Sequence, residues 1–416
     1  MINFHLHFLI WLLSITTVYA AHGLRAGRTN INPPQHHRDE LFISLFHSSS
    51  LPPNSYYDHK QARYFSKDGI NNLFYYPSDK KESCHNFLQQ ASELGMNGVI
   101  WLPKNWIDQG FTKYKYEEWI YKCSINNQNL FGWFMPDELP SLLMKPDPDT
   151  NPIYDPQNPL LHDPDNKKIP WFLNKKNTDT INTAIGRTRW YAKRIRNANP
   201  KSHIMISPGT SERLKRNDRW GETLQNLSEY CDIWFRGAYP NWLEQPRCML
   251  IYEYEQWLFY KEKARRKGID VDRLYFMLIL ESFKGPLSNP EHYIAPEIIR
   301  FDAYASLALG SQGLIWWEGK NWNSTDVEAQ AMYNAIKSVA KEINIPNGVH
   351  LAPCLLADEP EQIVSVEIIS GPKKTPAYLG RRFNSFYLRI KQENSNGPMY
   401  LFVANFAENG KNSISK

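Results

Sequence analysis

Between residues 41 and 343 the chain alternates, eight times over, a short apolar, β-branched or aromatic run with a longer segment of helical period. The runs cover residues 41–46, 73–77, 98–103, 132–138, 203–208, 232–239, 274–281 and 313–318. Several are nearly continuous in apolar residues, as expected of parallel strands covered on both faces. Eight strands separated by helices over about 300 residues is the arithmetic of an α/β fold of the (β/α)8, or TIM, barrel type. A doubly wound open sheet alternates in the same way but usually carries a Gly-rich phosphate loop after an early strand. Neither G-x-G-x-x-G nor G-x-x-x-x-G-K-[ST] occurs, so the closed barrel is the expected fold.

The helical segments bury one stripe each. In 181–195 the positions Ile181, Ala184, Ile185, Thr188, Ala192 and Ile195 share a face, with Arg187, Lys193, Arg194 and Arg196 elsewhere, and Asn199-Pro200 ends the segment. Cys84, Phe87, Leu88, Ala91 and Leu94 form another stripe, closed by Gly95. Thr325 and Glu328 read as a capping box ahead of Met332, Ala335, Ile336, Val339, Ala340 and Ile343. These stripes are read as core packing.

Two regions fall outside the alternation. Residues 141–176, rich in Pro and Asp, make a long loop after the fourth strand, which on a barrel overhangs the C-terminal face. Residues 346–416 hold strand-like runs at 363–369, 386–391 and 400–405 and no helical segment, so a small C-terminal all-β domain is expected after a barrel spanning 21–345. Ahead of both, residues 1–20 read as a secretory signal. The apolar run at 8–15 is too short to cross a bilayer, and Val18-Tyr19-Ala20 offers small residues at the two cleavage positions, although no Lys or Arg precedes the run. The expectation is a secreted protein with no membrane association once the signal is removed.

Five cysteines allow at most two bridges and match no C-x-x-C motif; pairing of Cys231 with Cys248 and buried free thiols are both compatible with their spacing. Asn226-Leu227-Ser228 and Asn323-Ser324-Thr325 are acceptor sequons. The charge balance, 48 Lys+Arg against 43 Asp+Glu, is spread along the chain without a basic block, which gives no support to nucleic-acid binding. No H-E-x-x-H or similar ligand pair is found, and the Asp147, Asp149 and Asn151 segment lacks the Gly and distal Glu of a calcium loop. No cofactor or metal is therefore expected. The 14 Trp, 23 Tyr and 20 Phe are compatible with sugar-stacking faces and equally with a ring-filled core.

Polar side chains at the C-terminal ends of barrel strands face the site, not the core. Those positions hold Asp137 and Glu138 after strand four, Tyr239 after strand six, Glu281 at the end of strand seven, and Trp316, Trp317 and Glu318 in and after strand eight. Glu138 and Glu281 each end an otherwise apolar strand, where a carboxylate costs solvation unless it has a task or a partner; a basic residue such as Arg236 is one partner available to Glu281. Strands four and seven lie on roughly opposite sides of an eight-stranded ring, so their carboxylates face each other across the mouth. Hydrolysis of a glycosidic bond uses two such groups.

The pattern resembles the clan of retaining (β/α)8 glycosidases that includes cellulases, β-galactosidases and β-mannanases. The resemblance implies that Glu138, in Phe134-Met135-Pro136-Asp137-Glu138-Leu139-Pro140, is the acid/base and that Glu281, in Leu278-Ile279-Leu280-Glu281-Ser282, is the nucleophile. It also implies that Tyr239 orients Glu281, that Trp317 or Trp316 forms a floor for a sugar, and that Asp137 stands beside the substrate; Glu318, from its place after strand eight, reads as a residue meeting substrate hydroxyls or supporting those that do, or as a plain surface carboxylate. Trp316 and Trp317 are adjacent on one strand, so their rings point to opposite faces and at most one meets substrate. Asp137 stands where the clan usually has Asn. An ionised Asp only accepts hydrogen bonds and raises the pKa of its neighbour; this fits an acid kept protonated, an exchange of roles between Asp137 and Glu138, or a barrel that binds carbohydrate without cleaving it. The sequence thus leads to a secreted glycoside hydrolase acting on an oligosaccharide or polysaccharide, with a catalytically inactive carbohydrate-binding barrel as the alternative.

Overall fold

The computed structural model describes residues 40–46, 65–75, 82–102, 113–124, 129–135, 188, 191–200, 202–207, 227–272, 274–286, 290–317, 325–346, 350–356, 372–392 and 399–407. Strands β1 (Phe42–Phe46), β2 (Asn72–Tyr75), β3 (Asn97–Trp101), β4 (Leu130–Phe134), β5 (His203–Ile206), β6 (Ile233–Ala238), β7 (Tyr275–Glu281) and β8 (Gly313–Trp317) follow one another around a closed barrel. Neighbouring strands are parallel, and β8 returns to pair with β1, so the sheet has no free edge. Each expected apolar run overlaps one of these strands, although β2, β3 and β4 begin one or two residues before their runs.

Strand parity divides the core in two. Phe42, Phe46, Phe74, Val99, Trp101, Phe134, Met205, Phe235, Met277, Ile279 and Ile315 fill the barrel interior. The alternate residues, among them Ile43, Leu45, Ile100, Trp133, Trp234, Leu278 and Trp316, join the core between sheet and helices. Phe46 alone meets Phe74, Trp101 and Phe134 at ring distances of 4.8, 4.7 and 5.1 Å. Aromatic rings thus fill the barrel interior, and a larger number of them pack in the core between sheet and helices.

Helix α1 (Glu82–Glu93) buries Cys84, Phe87, Leu88 and Ala91, and Gly95 closes it with a φ of 67°. Helix α2 (Lys113–Ser124) packs beside it through Trp119, Ile120 and Cys123. Helices α3 (Met249–Arg265), α4 (Pro296–Leu309) and α5 (Val327–Asn344) follow β6, β7 and β8. The helix over 191–198 buries Ala192 and Ile195 as expected, but Arg194 is buried too; Ile181, Ala184 and Ile185 lie outside the described residues. The start of α5 corrects another expectation. Asp326 is the cap, accepting from the amides of Glu328 at 2.9 Å and Ala329 at 3.4 Å, because its short carboxylate reaches the N2 and N3 amides directly. The Glu328 side chain reaches away instead, accepting from the Tyr293 amide at 3.1 Å.

Asn344, ending α5, ties the barrel's last helix to its first strand. Its Oδ1 accepts from the Leu41 amide at 2.8 Å, and its Nδ2 donates to the carbonyls of Leu41 and Gly69, both at 2.9 Å. Beyond it, α6 (Ala352–Leu356) is a short helix in a region read as all-β, since five residues are too few to show a period. Strands β9 (Phe386–Gln392) and β10 (Met399–Asn405) then form an antiparallel pair. This unit rests on α3 and α4 through Tyr252 against Tyr378, Phe301 against Phe406, and Arg389 donating to the Leu307 carbonyl at 3.1 Å. The segments 1–20, 141–176 and 363–369 lie outside the described residues. All five cysteines are buried thiols, Cys231 and Cys248 included. Among the described residues no helix is long and apolar enough to cross a membrane.

Candidate active site

The inward parity of β7 places Met277 and Ile279 in the barrel interior and brings Glu281, the last residue of the strand, to the C-terminal mouth. Glu281 is 1% exposed. Three donors hold its carboxylate: the Asn241 amide at 2.7 Å on Oε1, the Trp242 amide at 2.9 Å on Oε2, and Arg247 Nη1 at 3.2 Å on Oε1. All three belong to the turn over 239–248 that follows β6. Arg247 Nη1 also donates to Asp302 Oδ2 of α4 at 2.6 Å, so one guanidinium bridges two buried carboxylates. A carboxylate has about four acceptor positions; among the described residues Oε2 serves one donor and keeps room for another partner.

Every one of these contacts suits the ionised form. Burial nevertheless dominates and raises the pKa of Glu281 from 4.5 to about 7; Arg247 opposes the rise, the Asp302 charge adds to it, and the two amides lower it. Because the native pKa lies above the ordinary one, the group's contribution to stability is fully present below about pH 4.5 and is lost as pH rises through about 7. Two substitutions move the titration in opposite directions. Arg247→Met raises the Glu281 pKa above 7, and Asp302→Asn lowers it; carbon NMR of labelled glutamate across the pH range reads both. Equal shifts of the same sign would remove the electrostatic account.

Partly buried rings surround this end of the barrel. Trp317 faces inward and stacks on Phe46 at 4.5 Å with planes 21° apart. Tyr239 lies 6.4 Å from Trp317, and Phe283 stands edge-on to Tyr239 at 5.8 Å and to Trp242 at 5.2 Å. The hydroxyl of Ser282 donates to the Trp317 carbonyl, which fastens the ends of β7 and β8 together. The arrangement offers an ionisable oxygen beside flat apolar faces, the combination that orients a polar ring such as a sugar.

Three expectations need correction here. Trp316 turns to the helix layer and is wholly buried, so it has no surface for a ligand; only Trp317 reaches the mouth. Tyr239 does not orient Glu281. Its ring folds over Gly237, where a Cβ would come within 2.8 Å of it, and the holding is done by main-chain amides and Arg247. Arg236 is not at the mouth either: even parity turns it outward, where it donates from Nε to Glu253 of α3 at 2.7 Å, both side chains fully buried. Asp137, Glu138 and Glu318 lie outside the described residues; β4 ends at Phe134, at the same end of the barrel as Glu281.

Arg247 and Asp302 escaped the sequence reading. Arg247 sits in a turn, where no period marks its direction. Asp302 did leave a signal, a lone carboxylate among Ile299, Ala303, Ala305 and Leu307 of a buried helix, which needs a buried partner. Among the described residues no group of three His, Cys, Asp or Glu could hold a metal ion.

No protein-family model matches the chain. No curated protein matches it. Among solved structures the chain is similar to an endo-1,4-β-mannanase from Eisenia fetida, at 13% identity over 72% of this chain and 91% of that one with a TM-score of 0.43. It is similar to a β-galactosidase from the psychrophilic Marinomonas ef1, at 10% identity over 76% of this chain and 62% of that one with a TM-score of 0.46. An endocellulase from Pyrococcus horikoshii is a third, at 11% identity over 72% and 92% with a TM-score of 0.42.

Proposed function

We propose that this chain is a secreted glycoside hydrolase that cleaves O-glycosidic bonds of an oligosaccharide or polysaccharide by double displacement, with Glu281 as nucleophile and Glu138 as acid/base. The observation that carries the reading is the setting of Glu281. It is an inward carboxylate at the C-terminal mouth of a closed parallel barrel, held by three donors in its ionised geometry and flanked by Trp317, Tyr239, Trp242 and Phe283. In this role the remaining acceptor position of Oε2 supplies the electron pair that attacks the anomeric carbon while Glu138 protonates the departing oxygen. Glu138 then takes a proton from water, and the hydroxide releases the sugar from Glu281. The two amides and Arg247 fix the carboxylate before the reaction, so little reorganisation is left for the chemical step. Trp317 provides the face on which the ring rests.

A second reading has its own support. Burial of Glu281 and the engagement of both its oxygens also fit an anchor for the 239–248 turn, in a barrel that binds carbohydrate and leaves it intact. A panel of aryl glycosides and plant, fungal and bacterial polysaccharides, incubated with the full chain, separates the two. Release of the aryl group with retained anomeric configuration in proton NMR is expected. Binding without release favours the second reading, inversion overturns the double displacement, and neither binding nor release overturns both readings.

A further inference from the structure

Arg247 is shared between two acids that belong to different elements. Its Nη1 donates to Glu281 Oε1 at 3.2 Å and to Asp302 Oδ2 at 2.6 Å, and the side chains of Arg247, Glu281 and Asp302 are 15%, 0% and 4% exposed. The shorter bond runs to the acid away from the strand end. Asp302 sits in the middle of α4, between the buried Ile299 and Ala303, on the helix that packs beside β7 and α3. The Asn241 and Trp242 amides already fix the direction of Glu281, so a third, charged donor is not needed to aim it. A guanidinium held by Glu281 alone would stabilise the resting carboxylate and oppose any step that uses up its charge. A second carboxylate on the same nitrogen offsets that hold.

We propose that Asp302 is a positioning residue that acts on Glu281 through Arg247, dividing the guanidinium between two carboxylates so that its charge stays partnered when Glu281 becomes an ester. This role rests on Glu281 being the nucleophile. In the first half-reaction an electron pair of Glu281 Oε2 bonds to the anomeric carbon, the bond to the departing oxygen breaks, and Glu138 gives that oxygen a proton. Glu281 has then lost its charge, and among the described residues Asp302 is the anion still bonded to Arg247. In the second half-reaction water bonds to the anomeric carbon and gives a proton to Glu138. The ester bond breaks, and its electron pair returns to Glu281, where Arg247 meets the charge again. Asp302 therefore favours the first step and Arg247 the second. With Asp302→Asn the guanidinium turns to Glu281 alone, which makes the carboxylate a poorer nucleophile and a better leaving group.

The test is stopped-flow kinetics of the full chain and its Asp302→Asn variant on dinitrophenyl glycosides of the common hexoses and pentoses, whose good leaving group makes the second half-reaction limiting. The expected result is a loss of about tenfold in kcat/KM, which reports the first half-reaction, together with a rise in kcat of about threefold and a smaller burst of dinitrophenolate. A purely structural role lowers kcat and kcat/KM together; that result, or no change in either, overturns the proposal. In an Arg247→Met background the same substitution changes kcat/KM by less than about twofold, since a buried Asp302 without its cation takes up a proton and resembles Asn. A tenfold loss persisting there overturns the route through Arg247. The parent supplies a measurement that no misfolded variant can spoil. With Glu281 trapped as a fluoroglycosyl ester, nitrogen NMR shows separate, slowly exchanging Nη resonances for Arg247, because Asp302 still holds it; averaged resonances overturn the proposal as well. A parent that releases no dinitrophenolate fails the nucleophile assignment and the role of Asp302 with it, whereas an active parent that fails any other arm fails the role of Asp302 alone.

Discussion

Glu281→Ala lowers turnover by about 10⁴-fold or more, and azide restores product as a glycosyl azide. The structure gives this expectation its form. Removing the side chain leaves the Asn241 and Trp242 amides and the Arg247 guanidinium facing the space it occupied, three donors converging where an anion of that size would sit. Azide or formate binds there and attacks in place of the missing carboxylate. Glu281→Gln keeps the volume but points an amide N–H₂ at groups that are themselves donors, so it is equally slow and gains nothing from azide. Rates on an activated aryl glycoside, with circular dichroism to confirm the fold, decide the matter. Glu281→Ala activity within tenfold of the parent ends the nucleophile assignment, and loss of fold in both variants assigns Glu281 to the turn instead.

Glu253→Ala destabilises the protein by about 3–5 kcal/mol. Arg236 and Glu253 are both fully buried in the helix layer between β6 and α3, an ion pair in which neither side chain reaches the surface. Removing the carboxylate takes this partner from a buried guanidinium, a group that keeps its charge in proteins. The midpoint and slope of urea unfolding read the change. A double replacement by Met and Leu recovers most of the loss, because a buried pair and an apolar pair of similar volume differ little in net stability. A loss below about 1 kcal/mol for Glu253→Ala would mean that water reaches Arg236.

The barrel was legible because each of its strands is a buried apolar run and none is interrupted by the Gly-rich phosphate loop that marks an open sheet. Glu281 was legible for the opposite reason, as the one carboxylate closing Tyr275–Leu280. Direction was harder to read. Near-continuous apolar strands lack the alternation that tells inward from outward; Trp316 and Trp317 were known to diverge but not which way, and Arg236 could be placed at the mouth when its parity sends it to Glu253. Partners that meet through space were hardest. Arg247 and Asp302 are 55 residues apart, in a turn and a helix, and only the packing of α4 beside β7 and α3 brings the carboxylate to the guanidinium.

Pairing of β8 with β1 has a consequence for synthesis on the ribosome. The first strand is made at the beginning of the barrel and waits for the last, so a nascent chain carries two open sheet borders until residue 317 has emerged, and both are templates for misassociation. Glu281, Arg247 and Trp317 are also translated late, within the final third of that stretch. A polypeptide released early therefore has neither a shut ring nor a working mouth, and completion of the one coincides with completion of the other.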